Sequence, residues 1–403
     1  MKNLGRFALA GVFLFALAAV ERHNMVKAAG GPSDQAVDAY RVLAPIESGN
    51  LLLFPVVRAA SKSSGETPFL TLDEGIKSGE VEVTEAGKTR GLVRPRGPIL
   101  SGPVPSAYHG DQVNTLVLVN NSKQPLVLLA GEIVTGGKQD RVIAKDRIVP
   151  AGGDPIDLSV FCIEPGRWTE SSSTFGGADK SAAGSFMVQP TVREQAMVAK
   201  DQQKVWDSVH GAIGGMMAAP SPSASTGVQA DGIPVDSRNL PTTSYAKAME
   251  NSAISHKVDE AAAPVMRSRD QVLAQLRQQH AIGVVVAVRG EIVWADIFAD
   301  TTLLSRYWTK LVRSYAAESL TSGESHAAPS VADAQHFLDA PAGGTETSEG
   351  DLGVYRYREL KSGGNETFVL ESLLPGTGYD VHISKLRLRA QETRYIPRPE
   401  FDR

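Results

Sequence analysis

Residues 281–298 read AIGVVVAVRGEIVWADIF, and this stretch decides the fold class. Ala281 to Val288 is an unbroken apolar run, short enough for a strand. Arg289-Gly290 makes a turn, and Glu291 to Phe298 alternates polar and apolar as a second strand. Asp300 then stands where an N-cap belongs. Behind it Leu303, Leu304, Tyr307, Trp308, Leu311, Val312 and Tyr315 recur at i, i+3 and i+4, which predicts the best helix of the chain. Lys310 and Arg313 fall on its other face. Trp294 and Trp308 read as core, Asp296 as a strand-end residue.

Upstream of this hairpin and helix, Ser244 to His280 is helical in composition. Together these segments make an α/β part over 244–320. Residues 213–243 hold Gly, Pro, Ser, Ala and Asp without periodicity and read as a flexible linker or excursion. Pro190 to His210 predicts one helix capped by Thr191. The part before it, from about 45 to 168, is rich in strands. Asn50 to Val57 (NLLLFPVV) is one, with Pro55 pointing to an edge or a bulge. Thr115 to Val119 and Pro125 to Leu129 flank the turn cluster Asn120-Asn121-Ser122-Lys123, a hairpin pattern. Downstream of 320, Ser330 and Asp333 resemble a capping box. Val354 to Leu360 and Thr367 to Leu373 frame a second hairpin, and Tyr379 to Leu388 alternates as a last strand. The expectation is an α+β protein: a β-rich first part over 45–212, the α/β part, and a C-terminal extension over 321–403 that carries a β-hairpin.

The chain has 403 residues and a formal net charge of -4, so bulk electrostatics do not point to a nucleic-acid partner. Lys2 and Arg6 precede an uncharged apolar run from Phe7 to Val20, too short for a membrane span and right for a signal segment. Cleavage after Ala28 would make residues 1–28 a signal peptide, leave no stable membrane span, and put the mature protein in the periplasm or outside the cell. An uncleaved N-terminal anchor is the other reading, and export follows from both. The single cysteine, Cys162, rules out an intramolecular disulfide and a Cys-rich metal site. No pattern in the chain names a cofactor or a metal.

The densest polar stretch is Gly131 to Arg141 (GEIVTGGKQDR), with Cys162 to Trp168 (CIEPGRW) downstream. Both follow apolar strands, and a rigid sheet presents side chains at strand ends. If the two strands are neighbours, Lys138, Gln139, Arg141, Glu164 and Arg167 converge. Three readings compete. In the first, Gly136 and Gly137 expose backbone N–H groups as a nest, and Lys138, Arg141 and Arg167 supply charge for an anion. The order is not that of a P-loop, because Lys138 is followed by Gln139. In the second, Cys162 is a nucleophile, which needs a basic neighbour to lower its pKa; set among Val160, Phe161 and Ile163 it also reads as a small core hydrophobe. In the third, Glu132 to Arg141 is a charged turn and Glu164 simply pairs with Arg167.

Several segments resemble one known family. They are NLLLFP (50–55), FLTLDEGIKSG (69–79), VEVTEAG (81–87), LLAGEIVTGGKQDR (128–141) and VFCIEPGRW (160–168), with later blocks at Gln203 to Trp206, Ile282 to Val288 and Leu304 to Tyr315. Together they are similar to the ARG and rhodanese-phosphatase-superfamily-associated domain family, prokaryotic domains without an established activity. The blocks run from about 45 to 320. Asp140 and Pro165 depart from the family's usual residues, adding a negative charge and removing an N–H donor. The resemblance hints at nucleotide chemistry by association only. The function expected is a non-catalytic binding domain for a small anion or an envelope protein, with Glu132, Gly136, Gly137, Lys138, Gln139, Arg141, Glu164 and Arg167 as ligand-binding residues. The alternative is a hydrolase or transferase acting on a phosphorylated or ADP-ribosyl substrate, through Cys162.

Overall fold

A computed structural model describes residues 40–58, 69–85, 115–167, 170–177, 186–220, 242–266, 269–321, 323, 325–341 and 344–388. The leader read at 1–28, Trp168 and residues 221–241 of the excursion lie outside the described residues. The first strands are β1 (Tyr40–Val42), β2 (Ile46–Ser48), β3 (Leu51–Arg58) and β4 (Leu70–Thr71), followed by α1 (Leu72–Ser78) and β5 (Val81–Glu85). The middle of the chain supplies β6 (Thr115–Asn120), β7 (Leu126–Leu128), β8 (Ile133–Gly136), β9 (Arg141–Ile143), β10 (Arg147–Val149), β11 (Ile156–Cys162) and β12 (Phe175–Gly177). Helices α2 (Pro190–Glu194), α3 (Gln202–Ala218), α4 (Tyr245–Glu250), α5 (Ser252–Met266) and α6 (Arg269–Gln278) come next, then β13 (Ala281–Val288), β14 (Glu291–Phe298) and α7 (Thr301–Leu320). The chain closes on α8 (Val331–Asp339), β15 (Thr345–Asp351), β16 (Tyr355–Ser362), β17 (Asn365–Ser372) and β18 (Asp380–Arg387). The architecture is α+β.

A nine-stranded antiparallel sheet runs β1-β3-β13-β14-β18-β17-β16-β15, with β2 also on β3. The 281–298 segment forms its central hairpin. Arg289 and Gly290 both take positive φ, 52° and 83°, as a two-residue hairpin turn demands. Both faces of β3 and β13 are covered, which is why neither strand alternates. Leu51, Leu53, Val284 and Val286 join the main core, while Leu52, Phe54, Val285 and Ala287 pack with Phe337 of α8 on the opposite face. Pro55 is not on an edge. It sits where β1 and β2 interrupt the pairing to β3, between Val42↔Val56 and Ile46↔Leu53, and its carbonyl accepts from the Leu43 N–H at 2.8 Å.

A second sheet of six strands runs β12-β8-β9-β11-β6-β5. A bridge between Thr84 and Thr174 joins its two ends, so it closes into a small barrel. The interior is filled by Val81, Val83, Leu116, Leu118, Val134, Ile143, Leu158, Val160 and Phe175. The third sheet, β10-β7-β4, pairs β4 with β7 in parallel.

The hairpin expected at 115–129 does not form. β6 pairs with β5 and β11, and β7 with β10 and β4. The intervening residues redirect the chain, with the Asn120 amide donating to the Gln124 carbonyl (2.9 Å) and the Pro150 carbonyl (3.0 Å) and the Ser122 hydroxyl donating to Asn120 Oδ1 (2.7 Å). The helix expected over 190–210 is broken instead. A π-helical turn, Gln195–Ala199, follows α2, and Lys200 leaves it at φ 52° before α3 starts on its own cap, Asp201. α3 then runs past His210 to Ala218. Thr191 is not the cap of α2. Gln189 holds that position, and the Glu318 carboxylate accepts the Thr191 N–H at 3.1 Å.

Asp300 caps α7 and Ser330 with Asp333 forms the capping box of α8, as expected. Lys310 and Arg313, however, are buried, at 4% and 3% exposure, because this part of α7 is packed against α5, the large sheet and the Glu132 segment. Among the described residues no helix is long and apolar enough to cross a membrane.

Candidate functional site

The two signature segments meet. β9 and β11 are neighbours, with Arg141 opposite Cys162. The loop from Gly136 to Asp140 folds over that end of the barrel. Gly137 takes φ 51°, and a Cβ there would fall 2.2 Å from the Phe175 ring and 2.7 Å from a Glu85 carboxylate oxygen. Asp140 accepts the Gly136 N–H (3.0 Å) and the Ser244 hydroxyl (2.7 Å), and gives its own N–H to Glu164 (3.2 Å). Glu164 in turn holds Arg167 at 2.6 Å and Lys247 at 2.8 Å. Burial alone would push the Glu164 carboxyl up. The hydrogen bonds from Arg167 and Lys247 outweigh it and hold the group below its usual range. Arg167 also donates to the Gly137 carbonyl at 2.9 Å and lies 3.5 Å from Asp140. The assembly is a clasp joining loop, barrel strand and the capped start of α4.

The remaining candidates are distributed as follows. Lys138 has an exposed side chain, and its N–H donates to Glu85 at 3.0 Å. Gln139 is fully buried, and neither of its amide atoms has a partner among the described residues. Arg141 is fully buried, donates to the Gln139 carbonyl at 2.6 Å and faces Glu85 at 3.9 Å. Glu132 does not join this group. It lies under α7, accepting the Leu129 N–H at 2.7 Å and pairing with Lys310, which also holds Asp73 at 2.7 Å. Burial would pull the Lys310 pKa down, but Asp73 and Glu132 outweigh it and raise it. Cys162 is buried inside the barrel end. Burial, only partly countered by Arg141, pushes its thiol up to about 11, so it is a thiol at neutral pH. Its backbone is gripped by the Gln202 amide, which accepts the Cys162 N–H and donates to the Cys162 carbonyl, both at 2.9 Å.

The model of the ARG and Rhodanese-Phosphatase-superfamily-associated Protein domain matches residues 39–386. The chain belongs to this family. The family domain extends beyond residue 320, where the recognisable sequence blocks stop, and takes in β15, β16 and β17. No curated protein and no solved structure matches the chain.

A further polar cluster in the family domain escaped the sequence reading. Asp296, in the middle of β14 and not at a strand end, forms a bidentate pair with Arg193, 2.9 Å on both arms. It also accepts from Ser384 at 2.8 Å and from Tyr315. His382 of β18 bridges Asp296 (3.1 Å) and Asp146 (2.6 Å). Burial would lower the His382 pKa, but the Asp146 charge and the hydrogen bonds to both carboxylates raise it to about 9. The imidazole is therefore an imidazolium at neutral pH. Asp146 completes its shell with the Ala130 N–H at 2.7 Å. This network ties the barrel to the large sheet and to α2 and α7.

Asp146 also lies on the wall of a cleft between the barrel and β15–β16. Leu128, Ile143, Lys145, Arg147, Ser159 and Tyr355 are among its lining residues. Lys145 and Glu349 form its half-exposed rim, paired at 2.7 Å. Arg147 is 7% exposed. One of its terminal nitrogens donates to the Asp157 carbonyl at 2.6 Å, and its guanidinium lies 5.9 Å from the centre of the Tyr355 ring. Its Nε has no partner, and among the described residues no carboxylate pairs with it. Sequence reasoning passed over Arg147 because the only signal is one charge at the head of the three-residue strand Arg-Ile-Val.

Proposed function

We propose that this protein is an exported, non-catalytic binding domain for a small anionic ligand, and that the ligand binds at Arg147. The carrying observation is a buried guanidinium on the cleft wall that, among the described residues, no carboxylate pairs with. Burying a charge is costly unless it is paired, so such a group is a place where an anion stabilises the fold. The signature loop holds its charges differently. Arg167 is taken by Glu164 and Asp140, and Arg141 faces Glu85. In this reading the 136–141 and 162–167 segments are the clasp that fixes the barrel, with Lys138 as their exposed cation.

The test is thermal unfolding of the mature chain against acetate, sulfate and phosphate, at ionic strength matched with chloride. At least one anion should raise Tm saturably, and Arg147→Gln should abolish the rise while Lys138→Ala keeps it. A Tm that no anion moves beyond chloride refutes the binding site. Export is supported by Lys2, Arg6 and the apolar run from Phe7 to Val20. Fractionation of cells carrying the tagged full-length chain checks it, and recovery in the cytoplasm alone refutes it.

A further inference from the structure

We infer that the ligand of the Arg147 cleft is a small monocarboxylate; this rests on the anion reading above and goes further, to the class of anion. Charge in the cleft favours a monoanion. Each negative group in the lining has its own cation. Asp146 is matched by the imidazolium of His382, whose other carboxylate, Asp296, is matched by Arg193. Glu349 is matched by Lys145, and Glu359 beside it by Lys200 at 2.6 Å. Among the described residues Arg147 is the lining cation that no carboxylate pairs with, and a single negative charge is what it lacks. A carboxylate supplies one negative charge, whereas a phosphate monoester at neutral pH carries about 1.5 to 2. The surplus charge of a phosphate would face Asp146 and Glu349 without compensation.

The space is small. The cavity measures about 30 Å³. A water needs on the order of 10–15 Å³, so there is room for about two or three oxygen-sized positions. Two oxygens are what a carboxylate brings, and a phosphate or sulfate brings more. The donor is planar. With one terminal nitrogen committed to the Asp157 carbonyl, the other edge keeps an enclosed, unpartnered Nε and one terminal nitrogen. A guanidinium edge and a carboxylate match as two parallel hydrogen bonds. Tyr355 beside the guanidinium offers apolar surface for a short carbon chain, and Ser159 adds a hydroxyl.

The experiment is calorimetric titration of the mature protein with acetate and, separately, inorganic phosphate, at pH 7 and matched ionic strength. Acetate should bind saturably and at least tenfold more tightly than phosphate. Arg147→Gln should weaken acetate at least tenfold, and Arg147→Lys, which keeps the charge but loses the planar edge, should weaken it severalfold. Circular dichroism checks that each variant is folded. If Arg147→Gln does not fold, the acetate-to-phosphate ratio of the unaltered protein and the Arg147→Lys variant decide. Phosphate binding through Arg147 with no acetate binding overturns the monocarboxylate and leaves the anion reading standing. Absence of binding by either overturns both.

Discussion

Raising the pH from 6 to 8 should cost this protein about 2 kcal/mol of stability through His382 alone. The imidazole is charged in the folded state because two buried carboxylates flank it, and its folded pKa is about 9 against 6.5 for the ordinary side chain. Below 6.5 both folded and unfolded chains carry the proton, and the full stabilisation of roughly 3 kcal/mol is present. Above 6.5 the unfolded chain releases the proton while the folded one keeps it, so stability falls as pH rises, by up to about 1.4 kcal/mol per pH unit, until the folded state also titrates near 9. Lys385 acts in the opposite sense. Burial lowers its pKa to about 8, so it adds stability as pH rises from there towards 10.5. The informative window is therefore pH 6–8. Urea unfolding at intervals across it, compared with His382→Gln, gives the slope. Nitrogen-15 histidine spectra of the folded protein give the titration directly. An imidazole resonance assigned to His382 that titrates below 7 would refute the assignment of a buried imidazolium, as would a stability slope identical in the variant.

Three further outcomes are expected. Lys310→Met leaves Glu132 and Asp73 without their cation and should destabilise by about 3–5 kcal/mol in urea unfolding, with Glu132→Gln in the same chain recovering part of the loss. Cys162 should resist a thiol-specific disulfide reagent at pH 7.5 in the folded protein and react promptly in urea; prompt labelling of the native state would return the nucleophile reading to consideration. Gly137→Ala meets both a left-handed backbone and the Phe175 ring, and should lower the unfolding free energy by more than 2 kcal/mol without changing the slope with urea.

Local elements were legible in the sequence where neighbouring residues decide them. The 281–298 hairpin, the Asp300 cap and the Ser330 capping box all follow from side chains within a few positions of one another. Failure came where the deciding partner is distant. Thr115 to Leu129 looks like a hairpin until the Asn120 amide finds carbonyls thirty residues on. Barrel closure depends on Thr84 meeting Thr174, which no periodicity records. The alternation of β18 places His382 and Ser384 on a polar face, which reads as solvent, yet that face is the one turned to Asp296. Lys310 and Arg313 were misplaced for the same reason: a charge on a helix implies water unless a partner such as Asp73 or Asp259 is known to be there. Of the candidate site, the convergence of Gly136–Arg141 with Glu164 and Arg167 was readable from strand ends, whereas Arg147 was not.

The pairing of β3 with β13 has a consequence for how the chain matures. Leu51 to Val57 finds its central neighbour only in Ala281 to Val288, more than two hundred residues later. During synthesis the early strand leaves the ribosome with both apolar faces uncovered and stays so until most of the polypeptide has emerged. Contacts of such long range close slowly. Truncation before Ala281 removes the central neighbour of β3 and leaves the large sheet unformed, while the barrel strands between Val81 and Gly177 keep their own core.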